Sequence, residues 1–178
     1  MARRIAVFIG GLTLITAAVF AINYMLIQRS LSTLLDSDTR NKGITALAYY
    51  DYLLNPRSLV FDLQVVSSTN SPVDIFRVLL QFAASQKDRD YETVKLSFKG
   101  QTKFLLKGSY FKTLGVEFET QNPLYTMRTL PENVIKPDGT AAFGTWTGGW
   151  LGVFGKQMED FIEFHKQWYI NDLTKAGS

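Results

Sequence analysis

The sequence predicts an α+β domain hung from a single N-terminal transmembrane helix. Three patterns predict it: an uncharged run from Ile5 to Ile27, apolar and basic residues alternating on either side of Gly100, and an apolar stripe at steps of three and four near the end. The expected sheet is small and mainly antiparallel, packed with helices, and the last element is a long C-terminal amphipathic helix. The expected organisation is an anchor over 1–35, a connector with a short helix over 36–57, and an extracytoplasmic α+β domain over 58–178.

The anchor rests on length. Ile5 to Ile27 is 23 residues without a charge, and about 20 apolar helical residues cross a hydrocarbon layer of about 30 Å. A cleaved secretory signal has the same basic start, here Arg3 and Arg4, but a core of only about 7 to 15 residues. Val19-Phe20-Ala21 offers small residues for such a cleavage, yet the apolar run continues past it through Ile22 to Ile27. An uncleaved signal-anchor is therefore expected. Arg3 and Arg4 immediately before the span favour an N-terminus inside the cell, against Arg29, Arg40 and Lys42 after it. That orientation puts the domain in a periplasm or its equivalent, on the inner (plasma) membrane. Within the span, Gly10, Thr13, Ala17 and Asn23 fall near one stripe, where small and mildly polar side chains let a partner helix approach closely.

The chain after the anchor is long enough for one domain with its own core. It carries 17 Lys and Arg against 16 Asp and Glu after Ile27, so bulk attraction to nucleic acid is not expected. The whole chain has no cysteine and one histidine, which excludes Cys-His catalysis and a His/Cys zinc site. No cofactor or metal is expected. No phosphate-binding loop, nucleophile elbow or dinucleotide fingerprint is present.

Along the domain, Ile44 to Leu54 is expected to be a short helix stopped by Asn55-Pro56, and Ser58 to Val66 a largely buried strand. Ser71-Pro72-Val73-Asp74 is a helix start, with a Ser cap, Pro in the first turn and an acid three residues after the cap. That helix should run to about Gln86. Val94, Leu96 and Phe98 alternate with Lys95, Ser97 and Lys99, and the pattern resumes with Phe104 and Leu106 opposite Lys103 and Lys107. A three-residue loop keeps the apolar faces together and pairs Lys99 with Lys103 and Lys95 with Lys107. Ser109 begins a short helix, and Val116 to Thr129 reads as strand or irregular chain broken at Asn122-Pro123. The last helix carries Leu151, Phe154, Met158, Phe161, His165 and Trp168 on one face.

Two features point to contacts. Like-charged lysine pairs across a hairpin repel, so Lys95, Lys99, Lys103 and Lys107 read as an anion or lipid-headgroup contact, or simply as a sheet edge that discourages further pairing. The uncharged segment Ala141 to Phe154 is too short to span. Its Trp146 and Trp150 suit a membrane interface or a loop folded onto the domain's own core. His165 is expected to be a packed, hydrogen-bonded core histidine. Asp88-Arg89-Asp90-Tyr91-Glu92 fails as a calcium loop, because Thr93 stands where the sharp-turn glycine belongs and Lys99 where the closing Glu belongs. Glu117 and Glu119 are the remaining pair for carboxylate chemistry.

The function expected from these residues is non-catalytic: a single-pass subunit or accessory, scaffold-like protein of a cell-envelope complex. Its expected partners are membrane lipid and other protein chains or further copies of itself. The alternatives are a lipid-headgroup-contacting peripheral module and, behind it, a carboxylate-dependent envelope hydrolase.

Overall fold

The computed structural model describes residues 2–176, with 2–10, 12, 13 and 176 as backbone only. The chain folds as α+β, with one five-stranded mixed sheet in the order β1-β2-β3-β4-β5. Helix α1 (Ala2–Asn23) continues through a π turn at Tyr24–Gln28 into α2 (Arg29–Ser37). It is the one helix among the described residues long and apolar enough to cross a membrane.

The segment expected as a short helix is instead the edge strand β1 (Ile44–Asp51). Its Ile44, Ala46, Ala48 and Tyr50 are buried while Thr45 and Leu47 are exposed. The period is two, so tertiary burial overrides the helix propensity of the alanines and leucines. Strand β2 (Asn55–Val66) pairs antiparallel with β1 and parallel with β3 (Thr93–Phe98). Helix α3 (Pro72–Ser85) makes the crossover that a parallel pair requires. It begins at the expected capping box, in which Ser71 Oγ accepts from the Asp74 amide at 3.4 Å and Asp74 accepts from the Ser71 amide at 2.8 Å. Three of the four strand pairings are antiparallel, as the sequence led one to expect, and the β2–β3 pairing is the exception.

The β3–β4 hairpin corrects the lysine register. Strand β4 (Gln101–Lys107) pairs Phe98 with Gln101, Leu96 with Phe104 and Val94 with Leu106. The loop is the two residues Lys99 and Gly100, with φ of 49° and 80°, the left-handed pair that a tight type I′ hairpin demands. A two-residue loop alone would mix the faces. The register shift after Leu96 inserts Lys103 as an unpaired residue, which restores the phase and returns Phe104 and Leu106 to the apolar face. Lys99 therefore does not pair with Lys103, and Lys95 faces Leu105 rather than Lys107.

On that face the cross-strand rows are Tyr50, Leu59, Val94 and Leu106, then Ala48, Phe61, Leu96 and Phe104. Helices cover them. Phe61 meets Phe82 of α3 at 5.5 Å between ring centroids and Trp168 at 6.0 Å. Helix α4 (Gly108–Glu117) packs on α3 where Gly115 lies against the Ala83 carbonyl, too close to admit a β-carbon. Val116 to Thr129, expected as strand or irregular chain, is the end of α4 and helix α5 (Pro123–Thr129), the latter capped by Asn122. After the two-residue β5 (Val134–Ile135), helix α6 (Trp150–His165) runs through a second π turn at Lys166–Ile170 into α7 (Asn171–Ala176). Its inner stripe is Phe161, Phe164, His165, Trp168 and Tyr169, all buried, whereas Leu151 is exposed.

Candidate functional site

An edge strand presents unpaired amides and carbonyls that invite another chain. In this molecule the N-terminal helix closes the β1 edge with side-chain amides in place of a sixth strand. Asn23 Oδ1 accepts from the Tyr50 amide at 2.8 Å, and its Nδ2 donates to the Leu53 carbonyl at 2.8 Å and to the Val19 carbonyl at 3.0 Å. Five residues on, Gln28 Oε1 accepts from the Ala48 amide at 2.7 Å and Nε2 reaches the Ala46 carbonyl at 3.4 Å. Ile27 and Leu31, one and two turns beyond Asn23, are fully buried in the same seam. Arg89 fastens the seam from below, donating to the Leu26 carbonyl at 3.0 Å and to the Tyr50 hydroxyl at 3.1 Å.

The upper end of the seam is polar and equally closed. Asp38 accepts from Arg40 Nη2 at 2.6 Å and from Gln81 Nε2 at 2.9 Å, and these bonds hold its carboxyl well below the usual carboxylate range. Arg77 ties Asp74 at 2.8 Å to the Arg40 carbonyl at 2.8 Å. Helix α2 is thereby joined to α3 as well as to β1. The last turns of the N-terminal helix belong to the folded domain.

Asn23, expected to face a neighbouring membrane helix, faces this domain, with both amide hydrogens and its carbonyl engaged. Ala17 is exposed on the free part of the helix. Gly10 and Thr13 lie in α1, but their side chains are outside the described residues. Sequence reasoning missed Gln28 and Arg89. The available signal was two carboxamides five residues apart at the end of an apolar run, the spacing that one π turn brings onto one side.

The four lysines do not form one patch. Lys95 pairs with Asp51 at 2.7 Å and Lys103 with Asp172 at 2.7 Å, the latter holding the Asp172 carboxyl below its ordinary value. Lys99 lies over the Phe98 ring at 5.3 Å from its centroid, and Lys107 is exposed at the opposite end of the hairpin. The helix runs antiparallel to β1, Asn23 beside Tyr50 and Gln28 beside Ala48, so its apolar part leaves the domain past the β1–β2 turn. The Lys99-Gly100 turn is at the far end of the parallel strands β2 and β3, about 25 Å away at about 3.3 Å per residue.

The tryptophan segment lies at the other edge of the sheet. Ala142 donates to the Val134 carbonyl at 3.0 Å and Phe143 meets Phe104 at 6.3 Å, so the segment begins packed on β5 and the core. Trp146 Nε1 donates to Asp160 at 2.6 Å, which lays the ring along α6. Trp150 and Leu151, in the first turn of α6, are 67 % and 76 % exposed. Arg128 of α5 braces this end, donating to Gln157 at 2.8 Å and lying 5.4 Å from the Phe154 ring centroid. The outcome is split: Trp146 is tied to its own helix and Trp150 is presented outward.

His165 is fully buried between Phe161 at 4.6 Å and Phe164 at 4.9 Å, and neither ring nitrogen has a hydrogen-bond partner among the described residues. The expected hydrogen bond is absent, and burial pushes its pKa down to about 3. An open cleft of about 380 Å³ is lined by Asp90, Tyr91, Gly108, Lys112 and Glu117 among others. Asp90 is bridged to Lys112 at 2.7 Å. Glu117 ends α4 and Glu119 lies in the following turn, so they are not adjacent on one strand. No group of three or more metal-ligating side chains occurs among the described residues.

Comparison with protein-family models, curated proteins and solved structures finds no match to this chain.

Proposed function

We propose that this chain is a single-pass, membrane-anchored, non-catalytic subunit or accessory protein of a cell-envelope complex. Its N-terminus is inside, its α+β domain is outside the cytoplasm on the inner membrane, and it binds protein partners. The observation that carries the proposal is the carboxamide seam of Asn23 and Gln28 on β1. A domain that only needs tethering is served by a flexible linker. Continuous helix, closed strand edge and the Arg89 clamp instead fix the domain's height and heading above the bilayer, which is what assembly with neighbours requires.

The surface for those neighbours is the outer end of α6. Trp150 and Leu151 stand exposed beside Gly149, Gly152 and Gly155, around which a β-carbon would meet nothing. Aromatic anchors are enriched in the energetic centres of interfaces. This end flanks β5, four strand spacings or about 19 Å from the anchored edge, and so is clear of the span.

Affinity capture of the full chain in mild detergent tests the proposal. It predicts a stoichiometric companion or a self-oligomer, reduced about tenfold or more when Trp150→Ser and Leu151→Ser remove an interfacial anchor worth about 2 kcal/mol. A strictly monomeric, unaccompanied chain contradicts it.

A further inference from the structure

The turn between β1 and β2 lies where the anchor helix leaves the domain, and unlike the Lys99-Gly100 turn it places two successive non-glycine residues in the left-handed region. Tyr52 and Leu53 have φ of 51° and 62°, in the left-handed region that residues with bulky side chains rarely occupy. Such strain persists only when the surroundings impose it, and it gathers at functional positions. Here the surroundings are visible. Leu53 donates to the Tyr50 carbonyl at 2.7 Å and its own carbonyl accepts from Asn23 Nδ2 at 2.8 Å. The anchor thus holds the turn in a shape that turns Tyr52 and Leu54 outward, 84 % and 71 % exposed. At the same level of the helix, Tyr24 and Met25 are exposed too.

We infer that the Tyr52–Leu54 turn inserts into the interfacial layer of the bilayer that the anchor crosses, giving the domain a second point of membrane contact. The inference rests on the membrane-anchor reading. Given that reading, the level of the turn follows from its bond to Asn23. The 18 residues from Ile5 to Ile22 make about 27 Å of helix, nearly the whole hydrocarbon thickness, so Asn23 and the carbonyl it holds lie at the headgroup boundary. Tyrosine is the residue expected there, with its ring in apolar surroundings and its hydroxyl wet.

The contact is apolar rather than electrostatic. The cations beside the turn already have partners: Lys95 with Asp51 at 2.7 Å and, at 5.5 Å from its centroid, with the Tyr52 ring itself, and Arg57 with Glu92 at 2.9 Å. Anionic lipid is not required.

The absence of cysteine allows a direct test. Single variants Ile15→Cys, Tyr52→Cys, Leu54→Cys and Gln101→Cys of the full chain carry a nitroxide and are reconstituted in phosphatidylcholine vesicles. Collision with oxygen is compared with collision with a water-soluble nickel complex. Labels at 52 and 54 are expected to favour oxygen, at a depth between the label at 15 in hydrocarbon and the label at 101 in water. If the label at 15 is itself in water, the anchor reading fails and takes the inference with it. If 15 is in hydrocarbon while 52 and 54 match 101, the inference alone is overturned. It is likewise overturned if 52 and 54 are shielded from both reagents, because a protein partner or second copy then covers the turn.

Discussion

Replacing Trp168 by alanine is expected to lower the stability of the domain by about 4 to 8 kcal/mol, comparable to the whole stability of an ordinary small domain. The indole is fully buried and touches Phe61, Phe164, His165 and Tyr169 with ring centroids at 5.3 to 6.0 Å. Removing such a side chain costs about 3 to 5 kcal/mol in lost transfer energy and residual cavity. The indole N–H also donates to the Ser97 carbonyl at 3.0 Å, and leaving that buried acceptor empty adds about 1 to 3 kcal/mol. Trp168→Phe separates the two effects by keeping most of the bulk and losing only the donor. Denaturant titration of the full chain in micelles reads both. A loss under about 2 kcal/mol for Trp168→Ala would show that α6 does not close the core as described.

Acidification should destabilise the domain through His165, and the sign follows from burial. The folded pKa is about 3 and the unfolded value about 6.5, so between those values the unfolded chain holds a proton that the folded chain excludes. Stability is full above pH 6.5 and falls by about 1.4 kcal/mol per unit below it, about 2 kcal/mol by pH 5. It is the only histidine, so no other imidazole contributes in that window. Asp74, held low by bonds from Ser71 and Arg77 against the cost of its burial, adds acid sensitivity only in the carboxylate range. Asp62 acts in the opposite sense, since burial raises its pKa despite the Gly100 amide it accepts from. Unfolding of His165→Phe at pH 7 and pH 5 should show little difference between the two. A variant as acid-sensitive as the parent would remove His165 from the account.

The parts legible in the sequence were those with local signals. The apolar run, the Ser71 capping box, strand β2 and the last helix each declare themselves within one continuous stretch of chain. Other features depend on contacts that the local pattern does not specify and were misread for that reason. Ile44 to Asp51 is ambiguous by composition and becomes a strand only because β2 and the N-terminal helix flank it. The hairpin follows its apolar alternation, but the phase is kept by an unpaired Lys103 rather than by a longer loop, and alternation alone does not distinguish them. The lysines looked like a ladder until Asp51 and Asp172, neither in that hairpin, were placed against Lys95 and Lys103. Asn23 was read as facing a partner helix because a sequence does not show where a long apolar helix begins to pack on its own domain. The left-handed Tyr52 and Leu53 left no trace, having no glycine or asparagine to signal them.

Everything proposed for this chain depends on α1 being held in a bilayer while its last turns stay locked to β1. Alkaline carbonate extraction of membranes containing the full chain, followed by mass determination of the retained species, tests this most directly. The expected result is full-length protein in the pellet, released only by detergent. Full-length protein in the alkaline supernatant, or a shortened species that lacks the residues before Asn23, would contradict it.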